Sequence, residues 1–319
     1  MKRFLIALAA ATAFAGAAVA QTPAYPDKPV HLISPYPPGG TSDNLARLLA
    51  DKLRAALGQP VVIENKPGGT SSLGSAFVAQ AQPDGYTLLL GPMTAFTVLP
   101  HLRKLPYDPF TSFEPIATVA TYLAVVTVRN EMPVRTFGEL VALARKQPGK
   151  LTYGSSGVAS FGNMAGETIK LRESIDMLHV PFKGSNDLVP GLLGGHIDLF
   201  IDGVGLGAVK SGKARALAIF ADQRHPELPD VPTIAEAGLK TALPSVWWGL
   251  YAPKGTPEPV VRRLEAEMAR ILADPDMKER MGRISVLPFY RDQAQMRVFM
   301  KQDSELNAEL IRTTKMTLE

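Results

Sequence analysis

The chain has 319 residues, with 34 Lys and Arg against 30 Asp and Glu, no Cys, and a formal charge of +4 at pH 7. Without cysteine there are no disulfides, no thiolate metal sites, no cysteine nucleophile and no lipid-modified N-terminal cysteine. The basic residues are scattered rather than gathered in a stripe, which argues against nucleic acid; a small positive balance is compatible with small anionic ligands without showing them.

Lys2 and Arg3 precede an apolar stretch from Phe4 to Ala15, and "GAAVA" follows with Ala18 and Ala20 at small-residue cleavage positions. This predicts a secretory signal peptide over residues 1–20, cleaved near Ala20. The stretch is too short and too alanine-rich for a membrane anchor, and no later segment reads as a span. An exported chain without cysteine fits the periplasm of a double-membraned bacterium. The remaining length suits one or two domains with well-buried cores.

After an extended leader, "VHLIS" (residues 30–34) reads as a short buried strand, and "PYPPGGTSD" as a stiff loop running into a helix. Ser42 is a candidate N-cap, and Asp43 sits in the first turn, where a carboxylate suits the helix dipole. Leu45, Leu48, Leu49 and Leu57 supply the apolar face, and Gly58 closes the helix. The unit recurs with the strand "VVIEN", the loop "KPGGTSSLG" and the helix "SAFVAQAQ". The strand "YTLLLG" and the loop "PMTAF" follow. Such alternation predicts an α/β fold with largely parallel sheets.

The proline-rich "LPYDPFTSFEPI" breaks the rhythm, and "YLAVVTVRN" (residues 122–130) restarts it. A helix over residues 136–146, the strand and loop "LTYGSSG", and a helix over residues 160–174 come next. The strand "IDMLHVPF", a short proline-containing helix in "SNDLVPGLLGG" and the strands "HIDLFID" and "ARALAIF" complete this second unit. "VWWGLYAP" is a further strand, and helices follow over residues 259–272 and 292–313. The closing segment has too few strands for a third core and is expected to return to the first unit. The expected domains are therefore residues 21–121 with 223–319, and residues 122–222, joined by two crossovers across a cleft. Ligands in open α/β sheets sit beyond the carboxyl ends of the strands, so the strand-to-helix loops should face that cleft.

These loops are rich in glycine, serine and threonine and nearly free of charged side chains. Glycine lets a backbone approach a ligand closely, and a helix N-terminus presents unpaired N–H groups with a positive dipole end. Such a site can hold a carboxylate without a matching cation. One glycine loop alone reads as an ordinary tight turn; several at corresponding strand ends read as a site. Nucleotide motifs fail, because "PPGGTSD" lacks the Gly-Lys-Ser/Thr ending and no Gly-x-Gly-x-x-Gly follows the first strand. A secreted serine hydrolase using Ser155 or Ser156 lacks the Gly-x-Ser-x-Gly context and an evident histidine partner. His31, His101, His179, His196 and His225 stand singly with no metal spacing, and His31 and His179 lie in apolar runs that favour a structural role. Asp198 and Asp202 share a strand face, which allows a catalytic pair; a strand-end Asp202 that caps the next loop or orients a water is the simpler reading. Trp247 and Trp248 point to opposite faces of their strand, where core packing is the default and one could line the cleft. Lys183 is either a cation near the site or a surface residue. No metal or cofactor is called for.

The order "YPPGGTSDNLAR", "VVIENKPGGTSSLG", "PDGYTLLLG", "LPYDPFTSFEPI", "LTYGSSGVAS", "HVPFKGS", "LLGGHIDLFID" and "VPTIAEAG" resembles the Bug-type extracytoplasmic solute-binding proteins of tripartite tricarboxylate transporters. The resemblance covers essentially the whole chain after the signal peptide. It implies a type II-like periplasmic binding fold and a non-enzymatic role. The implied ligand is a small carboxylate, whether a di- or tricarboxylate, an acidic amino acid or an aromatic acid. The implied partners are permease subunits, with a histidine-kinase sensor as the alternative, and the protein is expected to be a monomer. Two strand–loop–helix elements grip the ligand in that family. The match carries over Tyr36, Pro38, Gly39, Gly40, Thr41 and Asp43 from the first and Ser155, Ser156, Val158 and Ser160 from the second. Thr94 and Asp202 match further ligand-facing positions. Thr70 and Ser72 belong to the third loop, where Ser72 replaces the family's usual amide. After "FKG", Ser185, Asn186 and Asp187 stand where a small residue and Pro-Ala are usual, and Asn163-Met164 replaces His-Leu; these departures bear on ligand identity.

Overall fold

The computed structural model describes residues 25–221, 224, 225, 227–239 and 246–318; the expected signal peptide lies outside them. In the first lobe, leucines every fourth residue (Leu45, Leu49, Leu53, Leu57) bury one side of helix α1 (Thr41–Leu57) against strand β1 (Val30–Ser34). Gly58, at φ 71°, ends the helix in the left-handed conformation that glycine adopts without a Cβ penalty. Strand β2 (Val61–Asn65), helix α2 (Ser72–Ala79), strand β3 (Thr87–Pro92), a π-type turn (Thr94–Val98) and strand β4 (Phe113–Tyr122) follow.

The chain then enters the second lobe with β5 (Ala124–Arg129), α3 (Phe137–Lys146), β6 (Thr152–Ser155) and α4 (Phe161–Glu173). This lobe continues with β7 (Leu178–Pro181), α5 (Leu188–Leu193), β8 (Leu199–Asp202), α6 (Gly205–Lys210) and β9 (Ala214–Phe220). It returns with β10 (Trp247–Pro253), α7 (Glu258–Ala273), α8 (Pro275–Arg283), β11 (Val286–Arg291) and α9 (Gln293–Thr314). The sheets run β11-β4-β10-β3-β1-β2 and β7-β6-β8-β5-β9. Each therefore places a strand arriving from elsewhere, β10 or β5, beside its third local strand.

The sheets are mixed rather than largely parallel. β1 pairs parallel to β2 and β3, and β6 parallel to β7 and β8. The arriving strands β10 and β5 pair antiparallel on both sides, because they enter from the opposite end. Several elements escape the sequence pattern, among them β4, β11, the short helices α6 and α8 and the π-type turn. β4 carries Pro115, which lies opposite Tyr251 beside a register irregularity where a missing N–H is tolerated. β11 carries Pro288 but lies at the sheet edge, and α8 is a short polar helix that buries only Met277 and Met281.

The apolar core is continuous across the lobes: Leu32, Leu45 and Leu90 belong to the same cluster as Tyr153, Phe161 and Leu199. The C-terminal helix α9 also packs against α4. The loops after β1, β3 and β6 thus open into one space between the sheets.

Candidate functional site

A cavity of about 300 Å³ lies in that space. From the first lobe it is bounded by the N-terminus of α1, where Gly40 is extended (φ −77°, ψ 173°) and supplies no side-chain cap. The first N–H groups of a helix have no intrahelical partner, so those of Thr41 and Ser42 are available to an anion. The rest of this loop is fastened from behind. Asp43, 1% exposed, accepts from the Gly39 N–H (2.9 Å), Asn65 Nδ2 (2.9 Å) and Arg47 Nε (2.9 Å). Asn65 Nδ2 also donates to the Tyr36 carbonyl at 3.0 Å. Burial works to raise the Asp43 pKa, but the Arg47, Gly39 and Asn65 donors outweigh it and hold the carboxyl below its ordinary value. Gly39, at φ +89°, occupies a conformation that side chains rarely adopt.

The second lobe contributes the N-terminus of α4. Ser160 is its N-cap, yet its hydroxyl caps nothing: Oγ is buried, the residue is 3% exposed, and Oγ has no hydrogen-bond partner. It lines the cavity beside Ser156 and Phe161. The polar edge of the cavity is completed by Tyr36 and Thr94. Burial pushes the Tyr36 phenol above its ordinary value, while hydrogen bonds with the Thr94 and Ser71 hydroxyls work the other way. The phenol therefore stays protonated at neutral pH and can donate.

The remaining walls are apolar, with Met93, Phe161, Val246, Trp247 and Trp248. Both tryptophans border the cavity although their side chains pack into different core clusters on opposite faces of β10, Trp247 being fully buried. Trp247 Nε1 donates to buried Asp303 at 2.9 Å, and Trp248 Nε1 to Ser42 Oγ at 3.1 Å. The mouth is crossed by one contact between the lobes, where Asn186 Nδ2 donates to the Pro38 carbonyl at 3.0 Å. Lys183 and Asp187 are exposed at the same rim.

The structure brings Tyr36, Gly40, Thr41, Thr94, Ser156 and Ser160 to the cavity. Thr70 lines an adjoining hollow of about 370 Å³ that shares Tyr36, Pro37, Ser156 and Lys183 with it. Pro38, Gly39, Asp43, Ser72, Ser155, Val158 and Asp202 do not line the main cavity. Ser72 donates to the Gly69 carbonyl (2.8 Å) and accepts from Arg103 (2.7 Å), which fixes the third loop. Asp202 accepts from the Val204 N–H (3.1 Å) and Ser185 Oγ (2.9 Å), so it caps its own loop. Asp198 is tied to Arg129 (2.6 Å) and Thr152 rather than paired with Asp202.

Ser155 has the histidine partner that its sequence context does not reveal: His179 Nε2 lies 2.7 Å from Oγ. The pair is nevertheless unsuited to nucleophilic attack. Ser155 is fully buried, and its proton is directed to the Gly157 carbonyl at 2.8 Å. The other ring nitrogen of His179 faces an amide of Asn163, not a carboxylate. Sequence reasoning takes Ser42 for the helix N-cap, whereas Gly40 holds that place and Ser42 lies within the first turn beside the cavity; it also passes over Met93, Phe161 and Asn186, and only the departure at 185–187 from the family pattern marks the last. Among the described residues, no cluster of three His, Asp or Glu is placed to hold a metal ion.

A family model described as "Tripartite tricarboxylate transporter family receptor" matches residues 45–316. The chain belongs to this family. Among solved structures similar to this chain, the periplasmic binding protein BugD is 35% identical with a TM-score of 0.85, over 92% of this chain and 99% of its own. An R. palustris protein solved with adipate is 30% identical with a TM-score of 0.87, over 92% of this chain and 99% of that one. MatC from Rhodopseudomonas palustris, solved with bound malate, is 29% identical with a TM-score of 0.83, over 90% and 100% of the two chains. Members of this receptor family are periplasmic solute-binding proteins, not enzymes. No helix among the described residues is long and apolar enough to cross a membrane.

Proposed function

We propose that this receptor captures a small carboxylate between its lobes and delivers it to the membrane permease of a tripartite tricarboxylate transporter. One observation carries the reading: two helix N-termini, one per lobe, open on one cavity, and Ser160, which borders it, has a buried hydroxyl without a partner. A carboxylate placed there accepts from backbone N–H groups at both helices and from Ser160, Thr94 and Tyr36. Each charge-assisted bond contributes about 1.5–3 kcal/mol. The carbon skeleton packs on Met93, Phe161 and Trp248. Adipate and malate in relatives support the carboxylate class. Because the donors sit on opposite lobes, the ligand favours the closed state over an open one. The periplasmic character of the family and the expected leader support a periplasmic location for this capture.

A thermal-shift screen of mono-, di- and tricarboxylates tests the class. The cognate acid raises the melting temperature with concentration, because it adds about 2.7 kcal/mol of stability at 100-fold over its dissociation constant. Gly40→Val tests the grip. The backbone at Gly40 is extended and a Cβ meets only Asn186 Oδ1 at 3.6 Å, so the fold tolerates the change. Its methyl groups enter the cavity in front of the α1 N–H groups, and calorimetry should show binding lost. No stabilising carboxylate, or unchanged affinity in Gly40→Val, would overturn the proposal.

A further inference from the structure

The loop that presents α4 to the cavity hangs on a chain of hydrogen bonds with one consistent polarity. Asn163 Oδ1 accepts from the Ala159 N–H at 2.9 Å, which directs Nδ2 the other way. There Nδ2 donates to the Tyr153 hydroxyl at 3.0 Å and faces His179 Nδ1 at 3.4 Å. Tyr153 in turn donates to Glu167 Oε1 at 2.5 Å, and Lys170 pairs with the same oxygen at 3.1 Å. Ser155 gives its proton to the Gly157 carbonyl, so it must accept from His179 Nε2. Both constraints select one species of His179: neutral, with the proton on Nε2 and Nδ1 as acceptor.

Ala159 makes this chain consequential. It is a non-glycine residue at φ +63°, a costly conformation that persists only where its surroundings hold it. Its N–H is held by Asn163. A proton on Nδ1 sets His179 N–H against the Asn163 amide N–H. If the amide turns over to accept from His179, its NH2 then meets the Ala159 N–H. Either way the chain is broken, at the Asn163–His179 contact in the first case and at the Ala159–Asn163 bond that fixes the 156–160 loop in the second.

We infer that His179 is a proton-sensitive positioning residue for the ligand grip: neutral, it braces the 156–160 loop through Ser155 and Asn163, and on protonation it releases that loop and weakens ligand binding. The second half of this inference rests on the carboxylate reading above. His179 is half-buried on the edge strand β7, so solvent protons reach it. The groups facing it are Glu167 and Lys170 from α4 and Tyr153 from β6, whose ring stacks on the imidazole at 4.9 Å. Burial lowers the His179 pKa, Glu167 works to raise it and Lys170 to lower it, so the neutral form prevails at neutral pH.

Nitrogen NMR of the full chain tests the brace without any ligand. At pH 7.5 the His179 ring should show a neutral imidazole protonated on Nε2. On acidification the amides of Ser156, Gly157 and Ala159 should shift with the same midpoint as the ring. A ring protonated on Nδ1, or loop amides that ignore its titration, would overturn the inference. Calorimetry with adipate between pH 7.5 and 5.5 tests the consequence. Affinity should fall by at most about tenfold per pH unit below the midpoint, the limit for one linked proton. His179→Gln keeps an N–H donor and an acceptor but does not titrate, and it should flatten that fall. The same fall in His179→Gln would exclude His179 as its source. Coupled titration in a protein that binds no carboxylate would sustain the proton-sensitive brace and overturn the ligand reading.

Discussion

Asp43 lies in the first turn of α1 and Ser160 is the N-cap of α4, and the two do opposite things. Asp43 spends its charge on the protein's own loop, through Gly39, Asn65 and Arg47. Ser160 leaves a buried hydroxyl unused. Asp43→Ala should therefore destabilise the protein by about 1.5–3 kcal/mol in urea melts, the usual worth of hydrogen bonds to a charged group. Its pKa is lowered on folding, so the unfolded chain binds the proton more readily. That stability is present above the ordinary aspartate value and lost as pH falls through the folded-state value, a slope that Asp43→Ala should lack. Ser160→Ala removes a hydroxyl with no partner, so its melting temperature should hold or rise while ligand affinity drops about tenfold or more. A variant that loses stability but binds normally would show that Ser160 serves the fold. The glycine, serine and threonine chemistry of these loops is legible in the sequence because it depends on local conformation. The Ser155–His179 contact is not, because it arises only when β6 and β7 align in parallel with Tyr153 opposite His179.

Elements whose residues repeat with a clear period could be read directly: α1, β1, β3, β5, α7 and α9 fall close to their expected places. β4 and β11 were hidden because their prolines argue against strands, and only tertiary position, a register irregularity or a sheet edge, makes those prolines harmless. The short turn Ser185–Asp187 is one of the stretches at which the sequence departs from the pattern of the family it resembles. It carries Asn186 across the mouth to the Pro38 carbonyl. One such neutral hydrogen bond contributes about 1 kcal/mol. Asn186→Ala should thus weaken ligand binding about fivefold by calorimetry, chiefly through faster release. Unchanged release kinetics would mean that the contact does not help keep the mouth shut.

For the whole molecule, two sheets of matching topology share a core and face each other across a cleft, with the chain crossing between β4 and β5 and returning between β9 and β10. The overall plan was readable from alternating strands and helices. The mixed strand directions were not, since they follow from where β5 and β10 enter their sheets. Both helix N-termini must contribute for the ligand to favour the closed arrangement. The most direct test is a crystal structure with the acid that gives the largest thermal stabilisation. The account predicts carboxylate oxygens within hydrogen-bond distance, about 2.7–3.2 Å, of backbone nitrogens at the starts of both α1 and α4 and of Ser160 Oγ. A carboxylate ion-paired to Lys183 at the rim, with both helix N-termini unoccupied, would contradict it.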